Sequence, residues 1–376
     1  MSRIKTAIIG AGHLGRIHAK LAKTLDSLEV VGVVDPSEAA RKQIEADLAL
    51  NTYATVAELP AAIQAAIVAA PTGLHHKVVQ PLLDQGVHVL VEKPITVTQD
   101  EAQELVATAD KNGVVLQVGH VERFNPAFQQ LQAKIGQAKF IETRRMSEYT
   151  FRSTDVGVVL DLMIHDIDLI LSLVDAPVKQ VDAVGISIMG DHEDIAQARL
   201  EFENGSVAQL VASRCSFARE RTIQVFSDRA FAQADLTSRQ VQSIAPSQAV
   251  LSRAIDFLGM PPESQQEVRD SLFTEWLPLQ TETAPEQNAI LEEHKDFAAA
   301  ITQNRSATVC GRQGAAALEV AQQVVEEIQQ HSWYGDSLPV TGPLAIPFPR
   351  IMQSGVLDPA EASPATPIHG PQRRAG

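Results

Sequence analysis

Residues 10–15 read Gly10-Ala11-Gly12-His13-Leu14-Gly15. They follow an apolar run at 5–9 and open an amphipathic stretch at 14–25. Glycines at these three positions allow a sharp turn, a close approach of backbone amides to a pyrophosphate, and tight packing of helix on strand. Asp35 lies twenty residues beyond Gly15, at the end of a second apolar run. A carboxylate there accepts hydrogen bonds from the adenosine ribose hydroxyls. Its charge also repels a 2′-phosphate, which favours NAD over NADP.

Outward from this stretch, apolar runs at 5–9, 29–34, 66–69, 88–91 and 114–118 alternate with helical patterns at 14–25, 37–48, 75–85 and 99–112. That alternation implies right-handed crossovers and a doubly wound parallel sheet. The rhythm breaks at 119–126, GHVERFNP, and residues 1–122 are expected to form an NAD-binding Rossmann domain. Longer strand patterns follow at 139–147, 178–188, 195–202, 206–213, 222–227 and 231–235. Glu203-Asn204-Gly205-Ser206 supplies an Asn-Gly hairpin turn between two of them. Residues 123–334 therefore read as an α+β domain with a largely antiparallel open sheet. Its late helices, 286–303 and 313–331, are free to pack back on the first domain. Residues 335–376 carry eight of the twenty prolines and no period, which reads as an extended or disordered tail.

The 376-residue chain has a net charge of −15, 45% hydrophobic residues and a mean hydropathy of −0.03. Such an acidic chain is a poor ligand for nucleic acid or an anionic membrane. Two cysteines, Cys215 and Cys310, make no disulfide framework and fit a reducing cytoplasm. No signal peptide or membrane-spanning run is expected.

Two further motifs end strands on the carboxyl edge of the expected sheet, where ligands of such folds bind. One is Pro71-Thr72-Gly73-Leu74-His75; the other is Val91-Glu92-Lys93-Pro94. Lys93 there would point at a reacting hydroxyl, and Pro71, Thr72, His75 and Glu92 join the candidate cofactor contacts. Residues 157–170, GVVLDLMIHDIDLI, place three carboxylates and a histidine in an apolar run. On a helix Asp161, His165 and Asp168 would share one narrow face, with Asp166 off it. A metal site, a satisfied core histidine and a general base all compete for this pattern. No companion His or Cys cluster supports a metal. The cofactor signature upstream favours His165 as a base, with Asp161 supporting its imidazolium.

Together GAGHLG, Asp35, PTGLH, VEKP, the Asp161–His165 spacing and the hairpin LEFENGSVAQL resemble the Gfo/Idh/MocA oxidoreductases, over residues 3–330. The resemblance implies an NAD-dependent sugar dehydrogenase with Lys93, Asp161 and His165 as its catalytic group. It also implies a second domain that binds substrate and builds homodimers or homotetramers. GHVERFNPAF is similar to the subgroup of UDP-N-acetylglucosamine 3-dehydrogenases, which oxidise a sugar 3-hydroxyl to a ketone. A partner aminotransferase then acts on that ketone, on the way to an amino sugar of lipid A or surface polysaccharide. Where many members carry Asn or Tyr, this chain has His120, Val121 and Glu122, a departure that bears on substrate. Arg214, Arg219 and Arg221 are candidate contacts for a UDP diphosphate, since guanidinium forks suit phosphate oxygens, and Arg123 is open between a sugar or phosphate contact and an interdomain salt bridge. The rival readings are a dehydrogenase of a free polyol such as an inositol, and a non-catalytic NAD- or sugar-nucleotide-binding regulator.

Overall fold

The computed structural model describes residues 3–59, 63–151, 155–333 and 340–344. Six parallel strands form the first sheet: Ile4–Ile9 (β1), Leu28–Val34 (β2), Thr52–Tyr53 (β3), Ala65–Val68 (β4), His88–Glu92 (β5) and Leu116–Gly119 (β6). Their order is β3-β2-β1-β4-β5-β6. Helices His13–Ala22 (α1), Glu38–Leu48 (α2), His75–Asp84 (α3) and Gln99–Asn112 (α4) connect them. β4 is buried at every position, as a strand covered on both faces by helices must be. The order reverses between β1 and β4, and that crevice at the carboxyl ends is where a dinucleotide binds in such sheets. β3 escaped the sequence reading because two residues carry no period.

After helix Pro126–Lys134 (α5) comes an eight-stranded sheet. Its strands are Ala138–Met146 (β7), Val178–Ile186 (β8), Ile195–Phe202 (β9), Val207–Ser213 (β10), Glu220–Ser227 (β11), Phe231–Asp235 (β12), Gln240–Ile244 (β13) and Leu279–Thr283 (β14). The order is β14-β13-β12-β11-β7-β10-β9-β8, antiparallel except where β7 meets β10. The β9–β10 hairpin turns through Gly205 at φ +78°, a conformation that suits glycine. β13 and β14 were not anticipated: both are short and polar on alternate positions. Between them lie helices Gln248–Leu251 (α7, after α6 below) and Pro262–Asp270 (α8).

The stretch 157–170 is not one regular helix. A wide π-turn, Val159–Met163, precedes the α-helix Ile164–Leu173 (α6). The buried Glu193 covers its start, with its carbonyl accepting from Val158 N–H at 2.9 Å and its carboxylate from Val159 N–H at 3.2 Å. The last two helices are Ala289–Gln303 (α9) and Gly311–Gln330 (α10). α10 serves both sheets. Ala315 and Leu318 pack with the first-sheet core, whereas Ala317, Val320, Ala321, Val324 and Ile328 pack with the second. α9 lies on α1, with Phe297 and Ala298 in the core beneath β1 and β2. Most of the proline-rich segment falls outside the described residues. Within 340–344, Thr341 bridges Ser332 and the Pro343 carbonyl accepts from Ser187 N–H at 3.0 Å, so these residues are paired with the fold.

Arg145 on β7, only 3% exposed, ties the second sheet to the end of the first. Its guanidinium donates to both oxygens of Asp166 on α6 (2.7–3.1 Å) and to Glu122 Oε1 at 2.9 Å. Burial alone would push the Glu122 carboxyl up, but the Arg145 charge outweighs it and holds the group below its ordinary range. Arg145→Met would strip Asp166 of its bonded counter-charge and leave Glu122 only the 3.5 Å link to half-exposed Arg221, an expected loss of roughly 3–5 kcal/mol at neutral pH in urea denaturation. In the variant those carboxyls would be raised above their unfolded values, so the folded protein gains stability as pH falls. In the wild type Glu122 is depressed while burial holds Asp166 raised, so the two act in opposite directions as pH falls, and the gap between the two curves should narrow.

Candidate active site

The dinucleotide loop is built by contact. A Cβ on Gly15 would sit 1.9 Å from the Gly10 carbonyl oxygen, so only glycine lets α1 lie this close to the loop. Gly12 begins α1 with no side chain capping the helix, and a Cβ added to it meets nothing within 4 Å. The first-turn amides therefore face an open approach, as a pyrophosphate site requires. His13 and Leu14 are exposed beside it. Asp35 accepts from Ala11 N–H and Ser37 N–H, both at 2.8 Å. Those bonds pin the carboxylate at the mouth of the crevice, and each oxygen keeps a lone pair for a ribose hydroxyl. These residues fit a bound NAD.

Pro71 and Thr72 form a tight turn after β4. His75 is used differently from the expectation. Its ring is 1% exposed, with Nδ1 2.9 Å from the Pro94 carbonyl and Nε2 2.9 Å from the Ala70 carbonyl. Both nitrogens are committed to bracing one loop against the next, so His75 supports the cofactor edge without offering a polar contact to it.

Lys93 leaves the end of β5 and reaches the π-turn of the second half. Its Nζ donates to the Asp161 carbonyl at 2.6 Å and lies 3.8 Å from Asp161 Oδ1. Burial pushes the ammonium's pKa down, and Asp161 and Glu92 partly restore it. His165 has its Nδ1 buried without a partner among the described residues. Burial, then the charges of Lys93 and Arg145, holds it well below the ordinary histidine range. The carboxylate expected to support His165 is instead turned to Lys93. Nor do Asp161, His165 and Asp168 share one face, because the wider π-turn shifts the helical phase. Asp168 is buried against Arg123 at 3.4 Å, and burial pushes its carboxyl up to about 7.

His120 was read from the sequence only as a substrate variation, yet it belongs to this cluster. It is 1% exposed, edge-on to His165 with ring centroids 6.3 Å apart, and neither ring nitrogen has a partner among the described residues. Burial, with Lys93 and Arg123 nearby, lowers its pKa to about 3. The signal for it was its position: like Lys93, it follows the carboxyl end of a strand.

A cavity of about 460 Å³ opens beside Asp161 and Leu162, walled by Met146–Thr150, Arg214, Arg219, Arg221 and Thr237. Arg219 and Arg221 present charge to it. Arg221 is half exposed and 3.5 Å from Glu122. Arg214 is corrected as an expected phosphate ligand, and Arg123 makes an ion pair, the other role open to it. Arg214 is a buried wall residue, bonded to Asp194 at 2.7 Å and to the Val156 carbonyl at 2.7 Å. Arg123 points to Asp168 and the Thr308 carbonyl, beside a different cavity. Both guanidiniums sit in low-dielectric surroundings that demand a fixed partner. Among the described residues no three His, Cys, Asp or Glu side chains are placed to hold a metal ion.

Residues 4–120 match the model of the oxidoreductase family with an NAD-binding Rossmann fold, and residues 127–233 match the Gfo/Idh/MocA C-terminal domain. The chain belongs to the Gfo/Idh/MocA oxidoreductases. It is thus an NAD-binding oxidoreductase of that family. It is 36% identical over 236 residues to the UDP-N-acetylglucosamine 3-dehydrogenase of Acidithiobacillus ferrooxidans, covering 62% of this chain and 75% of that protein. A solved structure of that enzyme superposes with a TM-score of 0.76 at 30% identity, over 87% of this chain and 98% of the other. A second member, the scyllo-inositol 2-dehydrogenase (NAD(+)) of Bacillus subtilis, is 27% identical over 57% of this chain and 68% of its own length.

Two glycine variants separate binding from folding in this family member. Gly12→Ala places its methyl in open space and should leave unfolding free energy within about 0.5 kcal/mol. It should nonetheless weaken NAD binding by at least about tenfold in fluorescence titration, since the methyl stands where phosphate oxygens approach. Gly15→Ala overlaps the Gly10 carbonyl and should cost roughly 1–3 kcal/mol in thermal unfolding.

Proposed function

We propose that the chain oxidises a secondary hydroxyl of a sugar to a ketone with NAD, the substrate being UDP-N-acetylglucosamine or a related UDP-sugar and the hydroxyl that at C3. One observation carries the reading: Asp161, paired with Lys93 whose charge also acts on His165, borders a cavity that presents the charges of Arg219 and Arg221. In this mechanism the Lys93 ammonium, steadied by the Asp161 carbonyl, hydrogen-bonds the reacting hydroxyl and stabilises the developing alkoxide. Neutral His165 receives the hydroxyl proton. Bound NAD supplies the acceptor for the hydride. Gly10, Gly12, Gly15 and Asp35 hold it, with His13, Leu14, Pro71, Thr72 and Glu92 along its edge. A proton arriving on His165 meets Lys93, Arg145 and Arg221, so the site favours its prompt release.

The rival substrate, a free inositol, is neutral and gives Arg219 and Arg221 nothing to neutralise. The likeness to the UDP-sugar enzyme, at 36% identity against 27% for the inositol enzyme, points the same way. A ketone product suits an aminotransferase as the next enzyme. We assign residues 1–122 to NAD and 123–334 to substrate and assembly. The open face of the second sheet exposes linked rings of Phe140, Phe226 and Phe231, with centroids 5.6 and 4.8 Å apart, as the surface for a homodimer or homotetramer. No helix among the described residues is long and apolar enough to cross a membrane, and two free thiols suit a cytoplasmic enzyme.

Incubation with NAD and a panel of UDP-sugars, free N-acetylglucosamine and inositols should give NADH absorbance and a ketone mass with UDP-N-acetylglucosamine. Lys93→Met and His165→Asn should each lower turnover by roughly 10²–10⁴-fold while NAD still binds. Equal turnover of a free sugar or inositol would reverse the substrate assignment. Full activity in either variant would remove the mechanism.

A further inference from the structure

Behind Lys93, away from the substrate cavity, three buried titratable side chains, His18, His294 and Glu293, take no part in this mechanism and stand against Glu92 at the cofactor edge. His294 Nε2 on α9 lies 2.8 Å from His18 Nδ1 on α1. His18 Nε2 lies 2.8 Å from Glu92 Oε1, and Glu92 Oε2 accepts the backbone N–H of Lys93 at 3.2 Å. His18 and His294 are both 0% exposed. Glu293, next to His294, is 1% exposed, and neither of its oxygens has a partner among the described residues.

The bonding direction follows from donor and acceptor inventory. Ionised Glu92 only accepts, so His18 Nε2 carries hydrogen. Neutral His18 then accepts at Nδ1, and the donor is His294 Nε2–H. That leaves a lone pair on His294 Nδ1 as the group without a partner, cheaper than a buried orphan N–H. A protonated His18 would reverse the last bond and leave such an N–H. Burial, with His18 alongside, lowers His294 to about 3, in keeping with the neutral form.

We propose that His294 and His18 are positioning residues for catalysis. Through an ordered chain of hydrogen bonds they hold the Glu92 carboxylate oriented behind Lys93, and so keep Lys93 an ammonium at working pH. This rests on the reading of Lys93 as the group that polarises the substrate hydroxyl. Facing Lys93 are Asp161, Arg145, His120, His165 and Glu92; of the acids, Glu92 is the one under control of the histidine chain. Facing Glu92 are His18, Lys93 and Glu293, the last raised well above the ordinary range by burial and by Glu92 itself. Without the His18 N–H, Glu92 Oε1 loses its donor, and the carboxylate is free to turn away from its place behind Lys93. Lys93 then loses a neighbouring negative charge and deprotonates at lower pH.

The test is the pH profile of kcat in the full chain with NAD and UDP-N-acetylglucosamine. His294→Leu and His18→Leu should move the alkaline limb about one pH unit lower, giving about tenfold less turnover beyond the limb. His294→Gln, whose amide N–H can stand in for Nε2–H, should restore the wild-type limb, which a purely structural loss would not. Imidazole ¹⁵N spectra of the wild type should show His294 as the neutral Nε2–H tautomer. If the leucine variants bind NAD and overlay the wild-type profile, or His294 carries its hydrogen on Nδ1, the proposal falls. Should His18→Leu fail to fold, the His294 pair and the spectra still decide it. Lys93→Met serves as the separate control: activity there would sink the reading of Lys93 itself, whatever the histidine variants do.

Discussion

The guanidinium of Arg145 lies inside the protein between Asp166 and Glu122, and the reacting groups are placed by where its two partners stand. A cation this deeply buried requires fixed counter-charges. Asp166 directly follows His165, so holding it on Arg145 sets the rotation of α6 that turns His165 to the Lys93 side. Glu122 comes two residues after His120, and holding it on the same arginine fixes the turn that leaves His120 edge-on to His165. One buried ion cluster thus aligns a strand of the second sheet, the helix after the π-turn, and the exit of β6 from the first sheet.

The cluster also shapes the field at the site. The chain as a whole is acidic, at −15, yet the desolvated space around His165 is dominated by Lys93, Arg145 and Arg221. Such a space resists added positive charge and welcomes negative charge. Burial first, and this positive surrounding second, hold His165 and His120 neutral, and the same field stabilises a hydroxyl oxygen losing its proton. Asp161 keeps this bias within bounds: it sits on Lys93, where it preserves the ammonium, and not on His165, where it would trap the proton.

Much of the fold was legible because periodicity survives wherever a strand or helix is long. GAGHLG, Asp35 and the apolar runs place the first sheet, and Asn204-Gly205 places a hairpin. What stayed hidden depends on details without a period. β3 has two residues, β13 and β14 are short and polar, and nothing in GVVLDLMIHDIDLI announces a π-turn. Reading that stretch as a regular helix put Asp168 with Asp161 and His165, when the turn sends Asp168 to Arg123. Asp166, read as lying off that face, bonds to Arg145. Charged residues were the weakest ground: Arg123 and Arg214 look the same in sequence as Arg219 and Arg221, and only burial separates ion-pair arginines from those facing the cavity.

That separation bears on how chemistry and substrate choice are divided. Lys93, His165 and His120 are packed among buried groups, so replacing any of them disturbs a region that water does not reach. Arg219 lies exposed, and Arg221 is half exposed with only a 3.5 Å link to Glu122. A substitution at either leaves no buried charge stranded. The hydride-transfer edge is therefore constrained from several sides at once, while the cavity wall opposite it can change its charge at little cost in stability. A fold built in this way can keep one reaction while its cavity wall changes charge, because Arg219 and Arg221 are side chains the core does not depend on.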